Sequence, residues 1–227
     1  MLVLSKCLKR STNPGGAVAG EEQVPTRLRL LEAAVAVMAE SGWSAVTSRV
    51  VAERARANNA LVHYYFGSVD ALRKAAVMHA VEKELEGPVE AILQAGDALD
   101  GVAEAIGGLL ERGPGTAQQR VLVEALMQGL RDEELREGGI RQIRAFRDLL
   151  AARLAADRDA GRLRADADPE GLAVVLGALL DGLLLHVLID PGTGAAAATR
   201  GLLALLRPAG AGGTPDAGEG GDDDDAS

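Results

Sequence analysis

The sequence predicts an all-α protein of about nine helices, and three observations carry that prediction. Hydrophobic residues fill 48% of the 227 positions while aromatics fill only 2%. Ala, Leu and Val supply most of the apolar content and β-branched runs are scarce, so helix formers dominate. Apolar residues recur at helical spacing, and Gly and Pro divide the chain into segments of helical length. The length suffices for one compact core or two small ones.

Taken in order, residues 1–25 are rich in Gly, Ser, Thr and Pro without periodicity and read as a disordered arm. Thr26, after Pro25, is expected to cap a helix over 26–41, with Leu30, Ala34, Val37 and Met38 on one face. Ser41-Gly42 ends it, and Trp43 is expected to pack beneath the short helices that follow. Thr47 caps a helix to about Ala55 with Val51, Ala52 and Ala55 facing inward, and Asn58 caps the next, to Phe66. From about Val69 or Asp70 a helix runs to Glu86, where Gly87-Pro88 is expected to close it. Further helices are expected near 89–95, 98–112, 117–130, 133–160, 169–189 and 194–206, with Pro114, Gly138-Gly139, Gly161 and Pro191 as punctuation. Residues 208–227 are low-complexity and acidic. They read as a disordered tail, either a solubilising extension or a competitor for a basic surface. The expected units are an arm (1–25), a helix-turn-helix head (26–73), a body (74–207) and the tail (208–227).

Charge is unevenly placed. The net charge is −9, yet residues 26–75 hold seven basic and four acidic residues, whereas 76–207 hold 14 basic and 21 acidic ones. A basic head on an acidic body suits a protein whose head alone approaches phosphate. The one cysteine, Cys7, excludes an intrachain disulfide and points to a reducing, cytoplasmic setting. MLVLSKCLKR is too short in apolar residues for a signal-peptide core. The greasiest run, Leu172–Ile189, contains Gly177, Asp181, Gly182 and His186 and falls short of the ~20 apolar residues of a membrane span. No membrane partner is therefore expected. Catalysis, a cofactor and a metal site are not expected either. There is no phosphate loop, nucleophile elbow or zinc-ligand spacing, and Asp222–Asp225 is no cage for a hard cation.

Residues 47–66, TSRVVAERARANNALVHYYF, carry the functional signal. They read as two short helices joined by a tight turn. Val62 and Phe66, four apart, can dock the second helix, leaving Asn58, Asn59, Ala60, Leu61, His63 and Tyr64 on its first turn and outer face. Asn can pair bidentately with adenine, and Leu61 can meet a thymine methyl. Thr47 and Ser48 can offer hydroxyls and N–H groups to phosphate, with Arg27, Arg29, Arg49 and Arg56 as nearby positive charge.

RLLEAAVAVMAESGWSAVTSRVVAERARANNALVHYYFGSVDAL resembles the N-terminal domain of the tetracycline-repressor (TetR) family. The resemblance runs in order through Leu30-Leu31, Ala33-Ala34, Gly42-Trp43, Thr47, Val51-Ala52, Ala55, Tyr65-Phe66 and Leu72. It implies a three-helix head, an all-helical body that dimerises and binds a small-molecule effector, and repression of a palindromic double-stranded DNA operator that the effector relieves. By this resemblance Asn58, Asn59, Leu61 and Tyr64 would read bases, while Thr47, Ser48, His63 and Tyr65 would position the backbone, with Arg49 and Ala60 in the same surface. Three positions depart from the family pattern. Arg56 stands where the turn usually has Gly, His63 where a phosphate-touching Tyr is common, and Val69 where a Lys is common. The rival reading is a helical interaction protein that kept the fold and lost operator binding.

In the body, 169–189 is apolar nearly all round and must be buried on more than one side. Leu172, Leu176, Leu179, Leu183 and Val187 form one stripe, and with Leu202 and Leu206 they are the expected homodimer interface. Effector-site candidates by residue type are Met78, His79, Met127, Phe146, Asp181 and His186. The low aromatic content points to aliphatic walls.

Overall fold

The computed structural model describes residues 25–111 and 115–208. Expectations for the arm, including Cys7, and for the acidic tail lie outside the described residues, apart from Pro25 and Pro208. The described residues hold nine α-helices and no strand: α1 (Thr26–Ser41), a 3-10 turn (Trp43–Ala45), α2 (Ser48–Arg54), α3 (Ala60–Phe66), α4 (Val69–Gln94), α5 (Ala98–Glu111), α6 (Ala117–Gly129), α7 (Glu133–Asp159), α8 (Pro169–Ile189) and α9 (Ala195–Leu206).

Side-chain caps set most of the helix starts. Thr47 accepts from the Val50 N–H at 3.3 Å, Ser68 from Ala71 at 3.0 Å and Asp132 from Leu135 at 2.9 Å. Thr116 and Gln119 form a reciprocal capping box. Asp168 caps α8, whose first residue is Pro169. Two expectations need correction. Thr26 is the first helical residue of α1, not its cap. Pro25 holds the cap position, and its carbonyl accepts from the Leu28 and Arg29 N–H groups. Gly87-Pro88 does not close a helix either, because α4 continues unbroken to Gln94. An interior Pro costs a helix roughly 3 kcal/mol. Here the turns beyond it bury Val89 and Ile92 completely or nearly so, and each such side chain is worth about 1.5–3 kcal/mol.

Two apolar clusters result. The first joins Leu30 of α1, Val46 of the following connection, Val51 of α2 and Val62 of α3 to Leu72, Val77 and Val81 of α4, Val121 of α6 and Leu135 of α7. The second joins Val89 and Ile92 of α4 to Val102, Ile106, Phe146, Leu150, Leu154, Leu176 and Leu203. The long helix α4 thus belongs to both, and a head–body boundary after residue 73 falls inside it. Ion pairs tie the helix ends. Lys74 reaches Asp132 at 2.9 Å, Glu134 at 3.0 Å and Asp70 at 3.2 Å, linking the start of α4 to that of α7. Hydrogen bonds from Asp132 and Glu134 hold the Lys74 ammonium above its ordinary value. The buried Asp157 carboxylate accepts from the Ala98 N–H at 2.6 Å and from Arg162, pinning the start of α5 to the end of α7.

At 21 residues and a mean hydropathy of 2.4, α8 is long and apolar enough to cross a membrane by length and composition. It spans the 169–189 expected from the sequence, with Pro169, Glu170 and Gly171 forming its first turn ahead of the apolar run Leu172–Ile189. One of its sides is packed onto the protomer, with Ala173, Leu176, Leu184 and Val187 buried.

Candidate nucleic-acid interface and cavity

The turn between α2 and α3 is closed by two backbone hydrogen bonds. Ala57 N–H donates to the Ala52 carbonyl at 2.9 Å and Arg56 N–H to Glu53 at 3.1 Å. This is the Schellman arrangement, with Arg56 at the position that prefers glycine. Arg56 has φ +50° and is the one non-glycine residue with positive φ among the described residues. The chain therefore keeps the left-handed turn without its usual residue.

Beyond the turn, the Asn58 side-chain oxygen accepts from the Ala60 N–H at 2.8 Å, and its carbonyl accepts from Leu61 at 2.9 Å. Asn58 thus caps α3 as its sequence suggested. The cost is that its side-chain oxygen is committed and only its NH₂ remains free to face outward. Asn59 is already helical and its side chain makes no cap contact. Val62 is fully buried, and Phe66 packs against the same core under the Arg27 guanidinium, 5.3 Å from the ring centre. Leu61 is also packed partly against the core, which leaves it less to offer a thymine methyl than its sequence position implied. Asn59, Ala60, His63, Tyr64 and Tyr65 are exposed, Tyr64 at 78%. Tyr65 packs edge-on to Tyr64 at 5.0 Å. His63 Nδ1 lies 3.3 Å from the Gly67 carbonyl, so in the tautomer protonated there it closes the C-terminal end of α3.

Before the turn, Thr47 and Arg49 are exposed and Ser48 is half-buried. Arg54 is not free positive charge: it makes a two-point pair with Glu40 at 2.5 and 2.6 Å, and this pair holds the Glu40 carboxyl below its usual value. Arg29 is partly buried, with its Nε enclosed, and does not join the exposed cations Arg27, Arg49 and Arg56. Trp43 packs against the core as expected. Arg73 lies over its ring, with its Nε donating to the Val46 carbonyl at 3.0 Å.

A partly open cavity of about 140 Å³ lies between α4, α5, α6, α7 and α8. Of the effector candidates, Met78, Phe146 and Asp181 line it. Met127 and His186 are exposed on α6 and α8 and do not, nor does His79. Residue type alone could not sort them, because the walls come from five helices. Glu84, Gln142 and Arg147, which sequence reasoning missed, are its other polar lining groups. Asp181 lines the cavity from an exposed position on α8; partial desolvation pushes its carboxyl up from its usual value, and the Arg147 guanidinium offsets part of that.

The expected dimer stripe also needs correction. Leu176 and Val187 are buried inside the protomer, and Leu172, Leu179, Leu183 and Leu206 are partly buried against its second cluster. Leu176 and Val187 are therefore closed to another copy of the chain, while the other four keep part of their surface. The exposed apolar positions of α8 are Val174, Val175, Ala178, Leu185 and Ile189, which share the opposite side of the helix with Gly182. Leu202 remains exposed on α9, joined by Leu205.

Two family models cover most of the described chain. Residues 30–76 match bacterial regulatory proteins of the tetR family, and residues 100–207 match the C-terminal part of BetI-type transcriptional repressors. No curated protein matches the sequence significantly. Among solved structures, Salmonella enterica GusR is 24% identical, with 82% of this chain and 97% of that one covered and a TM-score of 0.68. Escherichia coli NemR in its reduced form is 19% identical (81% and 98% covered, TM-score 0.68). A transcriptional regulator from Saccharomonospora viridis in complex with choline is 23% identical (80% and 95% covered, TM-score 0.63). These likenesses concern the fold. With the helix-turn-helix and the helical body each matched by its model, the chain belongs to the TetR family of DNA-binding transcriptional regulators.

Proposed function

We propose that the protein is a cytoplasmic, homodimeric repressor without enzymatic activity, released from a palindromic operator by a small molecule held in the body cavity. The observation that carries the DNA reading is the outward face of α3: Asn59, Ala60, His63 and Tyr64 are exposed while Val62 and Phe66 anchor the helix from behind. A helix docked on one side and polar on the other is the form that enters a major groove. In this reading Asn59, Ala60 and Tyr64 meet base edges, with a lesser contact from Leu61. Asn58, Thr47, Ser48, Arg49, His63 and Tyr65 hold the phosphate backbone. The exposed sides of α8 and α9 meet their copies across a two-fold axis, which sets the two heads against half-sites about 34–36 Å apart or a multiple of that. Residues 26–73 serve as the DNA-binding unit and 74–207 as the effector and dimer unit, with α4 shared. The choline complex of the S. viridis relative supports a small-molecule effector.

Val69, the first residue of α4, supplies no charge where the family commonly has Lys. That favours the rival reading of a fold-retaining protein without operator specificity. Titrating salt against a duplex from the gene's own upstream region and against a scrambled duplex separates the two. A sequence-selective complex is expected, and Asn59→Ala should weaken it by about 1–3 kcal/mol without changing the circular dichroism. Equal, weak binding to both duplexes would establish the rival.

A further inference from the structure

We propose that Gly139 of α7 and Gly177 of α8 determine how long an effector the cavity accepts, by leaving free the room that side chains would fill toward the two ends of its α7–α8 wall. This rests on the reading of the cavity as the effector site and adds the residues that set its selectivity. Three observations converge on it.

The first is what the two glycines face. Both line the cavity and both are half-buried. A Cβ built on either meets no atom within 4 Å. Gly138, next to Gly139, is the contrast: its Cβ would fall 2.9 Å from the Met78 Sδ, so there the room is already taken. The second is position. Cavity-lining residues recur at helical spacing on α7 from Gly139 to Arg147 and on α8 from Gly177 to Leu184. Beyond them, Leu150 and Leu154 of α7 share the second cluster with Ala173 and Leu176 of α8. Later residues of one helix thus meet earlier residues of the other, and the two run antiparallel. Gly139 therefore stands toward one end of their common wall and Gly177 toward the other. The exposed rim residues Ile143 and Asp181 lie one turn in from each. The third is the rest of the lining. Val77, Val81, Leu109, Leu122, Leu180 and Leu184 are aliphatic, so burial of methylene groups supplies most of the binding. A chain laid along this wall gains with each carbon until a side chain stops it, and at Gly139 and Gly177 no side chain does.

The test is calorimetric titration of the full-length protein with the straight-chain alkanols from 1-butanol to 1-decanol. A cavity of about 140 Å³ is close in size to the ~150 Å³ cavity that accepts benzene. Affinity should climb about fourfold per methylene and level off at roughly six to eight non-hydrogen atoms. Valine holds one rotamer in a helix and forms helix better than glycine. Gly139→Val and Gly177→Val should therefore fold, and each should end the climb about two carbons sooner, the double variant about four. Gly107→Ala makes a like gain in helix propensity outside the cavity lining and should leave the series unchanged. A valine variant that keeps the original levelling point, or that weakens every alkanol by one factor, would overturn the role of its glycine while leaving the cavity as an effector site. A shift of equal size in Gly107→Ala would overturn both roles, tracing the effect to helix stiffening. Absence of binding by every alkanol to the unaltered protein would overturn the effector site together with the selectivity assigned to it. Should a valine variant fail to fold, alanine at the same position decides, with the climb ending about one carbon sooner.

Discussion

Replacing Arg56 by Gly should stabilise the protein relative to replacing it by Ala, and the turn geometry sets by how much. Arg56 sits at φ +50° with its N–H and that of Ala57 both bonded back into α2. Those bonds fix the conformation, so a side chain at this position cannot relax to negative φ without breaking the turn. A left-handed conformation costs a residue bearing a Cβ roughly 1–2 kcal/mol. Glycine escapes that cost but gives up about 0.4–1 kcal/mol through the greater freedom of its unfolded chain. The difference leaves Arg56→Gly more stable than Arg56→Ala by about 0.5–1 kcal/mol, or about 1–4 °C in Tm for a chain of this length. Both variants lose the same guanidinium, so the comparison isolates the backbone from charge. Urea unfolding at one protomer concentration, with unchanged slope, reads the difference. An Ala variant as stable as the Gly variant would mean that residue 56 is not held left-handed and that the turn is built otherwise.

Other expectations follow from packing and charge. A Cβ at Gly101 would lie 2.7 Å from the Ile92 Cα and 3.0 Å from the Ala91 carbonyl, whereas one at Gly107 meets nothing within 4 Å. Gly101→Ala should therefore cost about 1–3 kcal/mol of overpacking despite its better helix propensity, and Gly107→Ala should gain up to about 1 kcal/mol; thermal melts that rank them the other way would refute the close approach of α4 and α5. The Asp97 carboxyl is pushed up by burial, but hydrogen bonds from Arg207 and the Asp100 N–H outweigh this and hold it below the usual carboxylate range. Because it binds its proton more weakly when folded, its contribution is complete above the unfolded carboxylate range and is lost as pH falls through its lower folded value. Asp97→Asn should remove that part of the acid dependence of stability, and an unchanged acid limb would discount the clamp on Arg207. Leu185→Lys sets a charge on the exposed side of α8 without disturbing the protomer core, so sedimentation should show dissociation to monomers; an intact dimer would move the seam elsewhere.

The head was largely legible from the residues. Leu30, Ala34, Val37, Met38, Val51, Ala52 and Val62 show one apolar side against polar neighbours, and all are buried. Caps at Thr47 and Asn58 were equally legible, because capping is a local bond between a side chain and an N–H two or three residues on. Pro88 misled, since a local helix breaker was set against distant burial of Val89 and Ile92, which the chain order does not display. The cavity was half legible. Met78, Phe146 and Asp181 were nominated by type, but Met127 and His186 share those types and lie outside it.

By itself, then, the chain determined its helical class, the order and most boundaries of its helices, and the helix-turn-helix that places it in its family, all from contacts a few residues apart. Tertiary structure alone decided which side of α8 is covered by its own subunit, which polar groups share a cavity, and that a helix runs through Pro88. The reason is the same in each case. A helix apolar nearly all round has no polar side to orient it, and a cavity exists only once helices far apart in sequence have stacked. Their packing then selects, from positions equivalent in residue type, the few that meet.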